Sequence, residues 1–388
     1  MILTLAIANY RSLRDLVIPL SHLTLITGAN GTGKSSVYRS LRLLAQTAQG
    51  GIIPTLALEG GLPSTLWAGP EKFGRKVLSG DYAVEGTVRS KSVQLRLGFA
   101  TADFGYLIDL GLPPPIPRSA FHLDPEIKRE VLFAGEQARP SSMLVDRHGP
   151  AIRVRNEAGK WQDLPIRLAP FESLMTHCAD PRSTPELLGL RERIRAWRFY
   201  DHFRTDAGSP ARQVQIGTRT PVLSHDGADL AAAIQTIFEI GDRDRFAAAI
   251  DDAFPGSTIE ISSERGHFAL EMHQHGLLRP LGPAELSDGT LRYLLLATAL
   301  MSPRPPELLI LNEPETSLHP ELLPALARLI IDAALRSQVL VVSHAKALIS
   351  GLQAEASCSA IELKKRFGET HIRGCAPLDG PAWTWPER

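Results

Sequence analysis

The stretch Gly28-Ala29-Asn30-Gly31-Thr32-Gly33-Lys34-Ser35 constrains this chain more than any other feature. It satisfies G-x-x-x-x-G-K-[ST], and it falls between an apolar run at residues 23–27 and a helical pattern at 34–48 that Gly50 and Gly51 stop. A buried strand feeding a glycine-rich turn and then a helix makes a specific device. The glycines let the turn curl until backbone N–H groups point inward, and the helix adds the positive end of its dipole. Such a ring of donors cradles phosphate. Lys34 can reach the terminal phosphates and the Ser35 hydroxyl can ligate Mg²⁺, while Asn30, Gly31, Thr32, Gly33 and Ser36 complete the cradle. The expected ligands are ATP and Mg²⁺.

The rest of the chain is read around that loop. Apolar runs at 3–8, 308–311 and 339–342 read as strands, and helical patterns appear at 229–240, 243–254, 290–301 and 321–335. Helices alternating with short apolar strands predict an α/β fold with a mainly parallel sheet covered by helices. Between residues 60 and 224 the text changes to strand-like stretches, such as 93–97 and 106–110, followed by a helix expected at 186–200. We therefore expect one head over 1–388: N-terminal strands and the phosphate loop at 1–59, a β-rich and helical insertion at 60–224, and a helical lobe with the remaining strands at 225–388. No heptad run or internal repeat is present. Lys plus Arg and Asp plus Glu number 42 each, so no overall field draws the protein to nucleic acid or membrane. The opening residues lack an unbroken apolar core, no eighteen apolar residues run together, and the reading is cytoplasmic. The three widely spaced cysteines, Cys178, Cys358 and Cys375, read as free thiols.

Three further elements carry chemistry. The run 308–311 delivers Asn312 and Glu313 to a strand end, where a carboxylate can polarise an attacking water. Glu313 is the expected general base. Asn312 stands where an Asp commonly contacts Mg²⁺ through water; an amide oxygen can accept that hydrogen bond but brings no charge, which weakens metal binding. Glu285-Leu286-Ser287-Asp288-Gly289-Thr290 opens a helix, where Ser287 is either a plain N-cap or, with Gly289, part of an anion site. Finally, the strand at 339–342 ends in Ser343-His344, placing a titratable donor after the acidic strand end.

In this order the elements resemble the Walker A loop, signature, Walker B and switch histidine of RecF/SMC-like ABC-type ATPase heads, without coiled-coil arms. The Asn-Glu-Pro-Glu-Thr-Ser-Leu-His-Pro form at 312–320 is similar to that of the small bacterial "predicted ATPase" group of stand-alone heads. The resemblance covers residues 1–50 and 225–350. It implies an ATPase fold in which Lys34, Glu313 and His344 are catalytic, the last sensing the γ-phosphate. It also implies that Ser287 and Gly289 meet the nucleotide of a partner subunit, so that the protein acts as an ATP-dependent homodimer. Residues 316–320 correspond to the D-loop at the subunit contact, and Arg11 to an early arginine that can approach the nucleotide; Arg11 also reads as a solvated strand-end residue. No Q-loop can be placed, since Gln46 is too close to the phosphate loop and Gln94 lies in ambiguous text.

Three functional classes follow. One is an ATPase head in DNA repair, genome maintenance or phage defence. Another is a nucleotide-gated switch with little hydrolysis, which Asn312 favours. The third, the motor of a membrane transporter, is disfavoured by the Ser-Asp-Gly-Thr signature and the long insertion. The short stretch after His344 argues against an appended OLD-type nuclease domain. DNA or a protein is a possible partner, with Arg191, Arg195 and Arg198 on one expected helix face and Lys364-Lys365-Arg366 as a second basic patch. A solvated helix face is the simpler reading of the three arginines.

Overall fold

The computed structural model describes residues 1–70, 94–114, 120–156, 158–201, 203–375 and 380–387, and the chain divides into two compact units. The first comprises Met1–Leu20, Gly28–Arg195 and Glu362–Arg388; the second comprises Ser21–Thr27 and Ala196–Ile361. Three strands open the chain: β1 (Ile2–Tyr10), β2 (Leu13–Pro19) and β3 (Leu23–Gly28). Tyr10 pairs with Leu13, so Arg11 and Ser12 form a two-residue turn with Arg11 at φ 52°. That left-handed conformation is uncommon without glycine, and here the Arg11 N–H donates to Thr65 O at 2.7 Å while its guanidinium donates to Glu59 at 2.8 Å.

Most strands described in the first unit form one antiparallel sheet. β4 (Leu95–Thr101), β5 (Phe104–Gly111), β6 (Glu126–Ala134), β7 (Met143–His148), β8 (Ala151–Arg155) and β9 (Trp161–Asp163) run as a meander, giving the order β2-β1-β4-β5-β6-β7-β8-β9. The expected strand at 93–97 begins outside the described residues. The opening hairpin thus shares a sheet with the β-rich region, through β1 pairing with β4. A fully buried ion pair, Glu130–Arg147 at 2.7 Å, sits in this sheet. Its remaining polar capacity is used: Tyr106 and Ser173 hydroxyls donate to Glu130 at 2.6 and 2.7 Å, and Arg147 donates to the carbonyls of Gly149, Ala169 and Glu172. Satisfied in this way, buried charge is tolerable.

In the second unit β10 (Arg198–Tyr200) runs parallel to a later strand. The helix expected to reach residue 200 instead ends at Arg195, as Pro185–Arg195. Trp197, Phe199 and Tyr200 are buried aromatics, and the last two lie in this short edge strand, a setting that suits aromatic side chains better than a solvated helix. A small sheet of β11 (Gln215–Ile216), β12 (Thr258–Glu264) and β13 (His267–His273) has the order β11-β13-β12. Next come β14 (Leu308–Asn312) and β15 (Gln338–Val342), whose uninterrupted apolar runs are buried on both faces. The parallel order is β10-β14-β15-β3, and β16 (Cys358–Arg366) continues beyond β3. The helix Asp288–Leu300 is buried from Leu291 to Leu300, as expected of a helix apolar on nearly every side. It shares a core with Leu323–Ala334, which buries one face. In the first unit β16 turns through Phe367 and Gly368, at φ 50° and 81°, into β17 (Glu369–Ile372). Two positive φ values in a two-residue turn suit the right-handed strand twist. The fold is α/β, with helices on a parallel sheet beside antiparallel ones. Among the described residues no helix is long and apolar enough to cross a membrane.

Candidate nucleotide site

In the first unit the glycine-rich loop leaves β3 and enters the helix Lys34–Thr47 through Gly33, which is left-handed at φ 104°. Gly28 and Gly31 are also at positive φ, 142° and 78°. Asn30, Gly31 and Ser35 are exposed, whereas Thr32, Lys34 and Ser36 are buried. The loop is closed on itself: Lys34 Nζ donates to Gly28 O at 2.7 Å and to Ala29 O at 3.2 Å, and the Thr32 hydroxyl donates to Ala29 O at 2.8 Å. The first amides of a helix have no intrahelical acceptor, and no acidic residue occupies the first turn to compete with an anion. A phosphate-sized acceptor fits these donors.

The cradle is braced by a residue the sequence does not advertise. Thr370, on β17 and almost fully buried, donates its hydroxyl to Thr32 O at 2.8 Å and shares a 2.9 Å hydrogen bond with the Ser12 hydroxyl. The backbone N–H of Thr370 donates to Ser12 O at 2.9 Å. Nothing in the local text of 369–372 signals this, because the contact is made only when the β16–β17 hairpin folds against the loop.

In the second unit, adjacent parallel strands bring Asn312, Glu313 and His344 together. Asn312 ends β14 opposite Val342 of β15, and Glu313 N–H extends the ladder to Val342 O at 2.8 Å. Glu313 itself is left-handed at φ 50°, a conformation costing about 1–3 kcal/mol that persists only where surroundings enforce it. Its half-exposed carboxylate lies 3.9 Å from His344 Nδ1. Glu315 lies 3.4 Å from the same nitrogen and is buried. Asn312 Oδ1 and Glu315 Oε2 are buried without a hydrogen-bond partner. An orphaned amide oxygen at this strand end fits the shell of a hydrated cation such as Mg²⁺.

The signature segment is nearby in the same unit. Ser287 does cap its helix, accepting from Thr290 N–H at 3.1 Å, and its residue remains exposed. A Cβ on Gly289 would lie 3.0 Å from Ser317 O, within the segment 316–320, and Ser317 is also left-handed at φ 64°. One turn along the helix, buried Arg292 donates to Glu313 O at 3.4 Å and Phe203 O at 3.3 Å. Burial pulls its pKa down, against the opposing pull of Glu315 and Asp201. Arg212, which sequence reasoning also missed, holds the approach to the helix: it donates to Pro283 O at 2.6 Å, Leu286 O at 2.8 Å and the Asp288 carboxylate at 2.8 Å.

Other residues singled out from sequence fall elsewhere. Arg11 pairs with Glu59. Arg191 and Arg195 lie on the helix Pro185–Arg195 but Arg198 lies in β10, so the three do not form one helix face. Lys364, Lys365 and Arg366 are exposed at the end of β16. The three cysteines are free thiols, with Cys178 pushed up to about 11 by burial.

Residues 23–350 match the family described as "AAA domain, putative AbiEii toxin, Type IV TA system". No curated protein matches the chain. Among solved structures it is similar to an SmcHead bound to the C-winged helix domain of ScpA, at 14% identity and TM-score 0.50, covering 96% of this chain and 97% of that one. It is also similar to an SMC head domain from Thermotoga maritima (14% identity, TM-score 0.45, 96% and 97% covered). A third is an Smc head domain with an extended coiled coil bound to the C-terminal domain of ScpA derived from Pyrococcus furiosus (14% identity, TM-score 0.48, 96% and 95% covered). The first of these likenesses speaks to fold, and the family match spans most of the chain. The protein belongs to that AAA-domain family, and its fold is that of an SMC head domain.

Proposed function

We propose that this head is a Mg²⁺-dependent ATP hydrolase that dimerises on ATP, acting on DNA or a protein partner in DNA repair, genome maintenance or phage defence in the cytoplasm. The observation that carries the reading is the end of β14, where a half-exposed Glu313 is held left-handed at φ 50° beside His344. In this reading Lys34 and the loop amides from Asn30 to Ser36 bind the phosphates. Glu313 takes a proton from the attacking water as its oxygen bonds to the γ-phosphorus and the β–γ bridge breaks, leaving ADP and phosphate. His344 contacts the γ-phosphate. Ser35 and Asn312 would hold Mg²⁺, which would supply charge neutralisation to the phosphates.

The measurement is phosphate release by purified protein with and without Mg²⁺. Lys34→Ala and Glu313→Gln should lose activity, and removal of a positioned base costs about 10²- to 10⁴-fold. Glu313→Gln should still bind ATP. Wild-type turnover in Glu313→Gln sinks the assignment of the base. The uncharged Asn312 supports a second reading, a nucleotide-gated switch, which instead gives ATP-dependent dimers without phosphate release.

A further inference from the structure

Glu315 is a buried carboxylate of the second unit that gathers its hydrogen bonds on a single oxygen. Its Oε1 accepts from the Ser343 hydroxyl at 2.6 Å, from His344 N–H at 2.9 Å and from Ala345 N–H at 3.1 Å. These donors are consecutive residues leaving β15; Ser343 N–H still reaches Ile26 O at 3.2 Å, and beyond it the ladder no longer dictates the path of the backbone. One buried oxygen therefore fixes where His344 begins. The same oxygen lies 3.4 Å from His344 Nδ1, against 3.9 Å for Glu313. Two carboxylates facing one ring nitrogen favour the tautomer that carries its proton there. The nearer, buried carboxylate also keeps the imidazole beside Glu313 without occupying it, leaving that group able to accept a proton from water.

We infer that Glu315 is a positioning residue: it sets the course of residues 343–345 and the orientation and tautomer of His344. The inference rests on the role proposed for His344 and deepens it. Glu315→Gln is the discriminating variant, because the amide oxygen can still accept from all three donors while the charge facing Nδ1 is gone. It should keep the fold and the ATP affinity and lose kcat by about 10- to 100-fold, as removal of a supporting partner typically does. Two readouts separate positioning from general support. Because Glu315 acts through His344, adding Glu315→Gln to His344→Ala should lower kcat by less than about twofold further. In protein labelled with ¹⁵N-histidine, His344 should show a protonated Nδ1 in the wild type and move towards a tautomer mixture in Glu315→Gln. Additive losses with an unchanged His344 nitrogen spectrum overturn the inference. If His344→Ala turns over ATP like wild type, the proposed role of His344 is what fails. The nitrogen spectrum then decides Glu315 by itself, with a shift supporting it and no shift overturning it.

Discussion

Two glycines of the phosphate loop are required for different neighbours. A Cβ on Gly28 would stand 2.5 Å from Leu363 O, and one on Gly33 would stand 2.5 Å from Thr370 Oγ1, so the β16–β17 hairpin leaves room for hydrogen only. The motif was legible because phosphate chemistry alone demands glycine there. Thr370 was not, since its place is set by a partner 338 positions away in sequence. Thr370→Val keeps the shape and deletes the hydroxyl, leaving Thr32 O without its donor; a stranded buried carbonyl costs about 1–3 kcal/mol. We expect a lower Tm and a several-fold higher KM for ATP, measured by thermal melting and steady-state kinetics. An unchanged KM would show that the loop holds its form without this brace. At Asn312 the argument runs through charge: Asp would put a carboxylate where Oδ1 now lies buried and unpartnered. Asn312→Asp should lower the Mg²⁺ concentration for half-maximal activity, and an unmoved titration would detach this side chain from the metal.

Among the elements, periodicity exposed what is repeated and hid what is borrowed. The buried runs of β14 and β15 and the apolar helix Asp288–Leu300 were readable because both faces of each are covered. The helix expected at 186–200 ran too far because Trp197, Phe199 and Tyr200 fit a helical as well as an extended pattern, and only pairing with β14 decides between them. Likewise the Glu130–Arg147 pair joins β6 to β7, and neither residue looks buried in isolation. Glu130→Ala leaves Arg147 charged and enclosed, a loss of about 3–5 kcal/mol that a denaturant titration would register. The signature segment depends on an element outside itself. Arg212→Ala strips the donors from Pro283 O and Leu286 O, so amide hydrogen exchange across 283–290 should accelerate while the parallel strands keep their protection.

At the scale of the whole molecule, the proposed function requires two heads to close on two ATP molecules. Each nucleotide would be held by the phosphate loop of one subunit and by Ser287 and Gly289 of the other. A net formal charge of zero opposes such closure with no self-repulsion. In a C₂ arrangement each site is composite, so a signature defect harms the partner's nucleotide and leaves the head's own loop intact. Lys34→Ala and Ser287→Arg should each be nearly inactive alone. When they are mixed, about half of the dimers assort as heterodimers, each with one site built from an intact loop and an intact signature. If one site can fire alone, activity should return to about a quarter of wild type, because half the dimers carry half their sites. Coupling between sites can suppress that recovery, so sedimentation of Glu313→Gln in ATP and Mg²⁺ supplies the independent arm. It should run as a dimer with ATP and as a monomer without. A Glu313→Gln protein that stays monomeric in saturating ATP and Mg²⁺, together with no rescue on mixing, would sink the composite site and confine any ATP turnover to single heads.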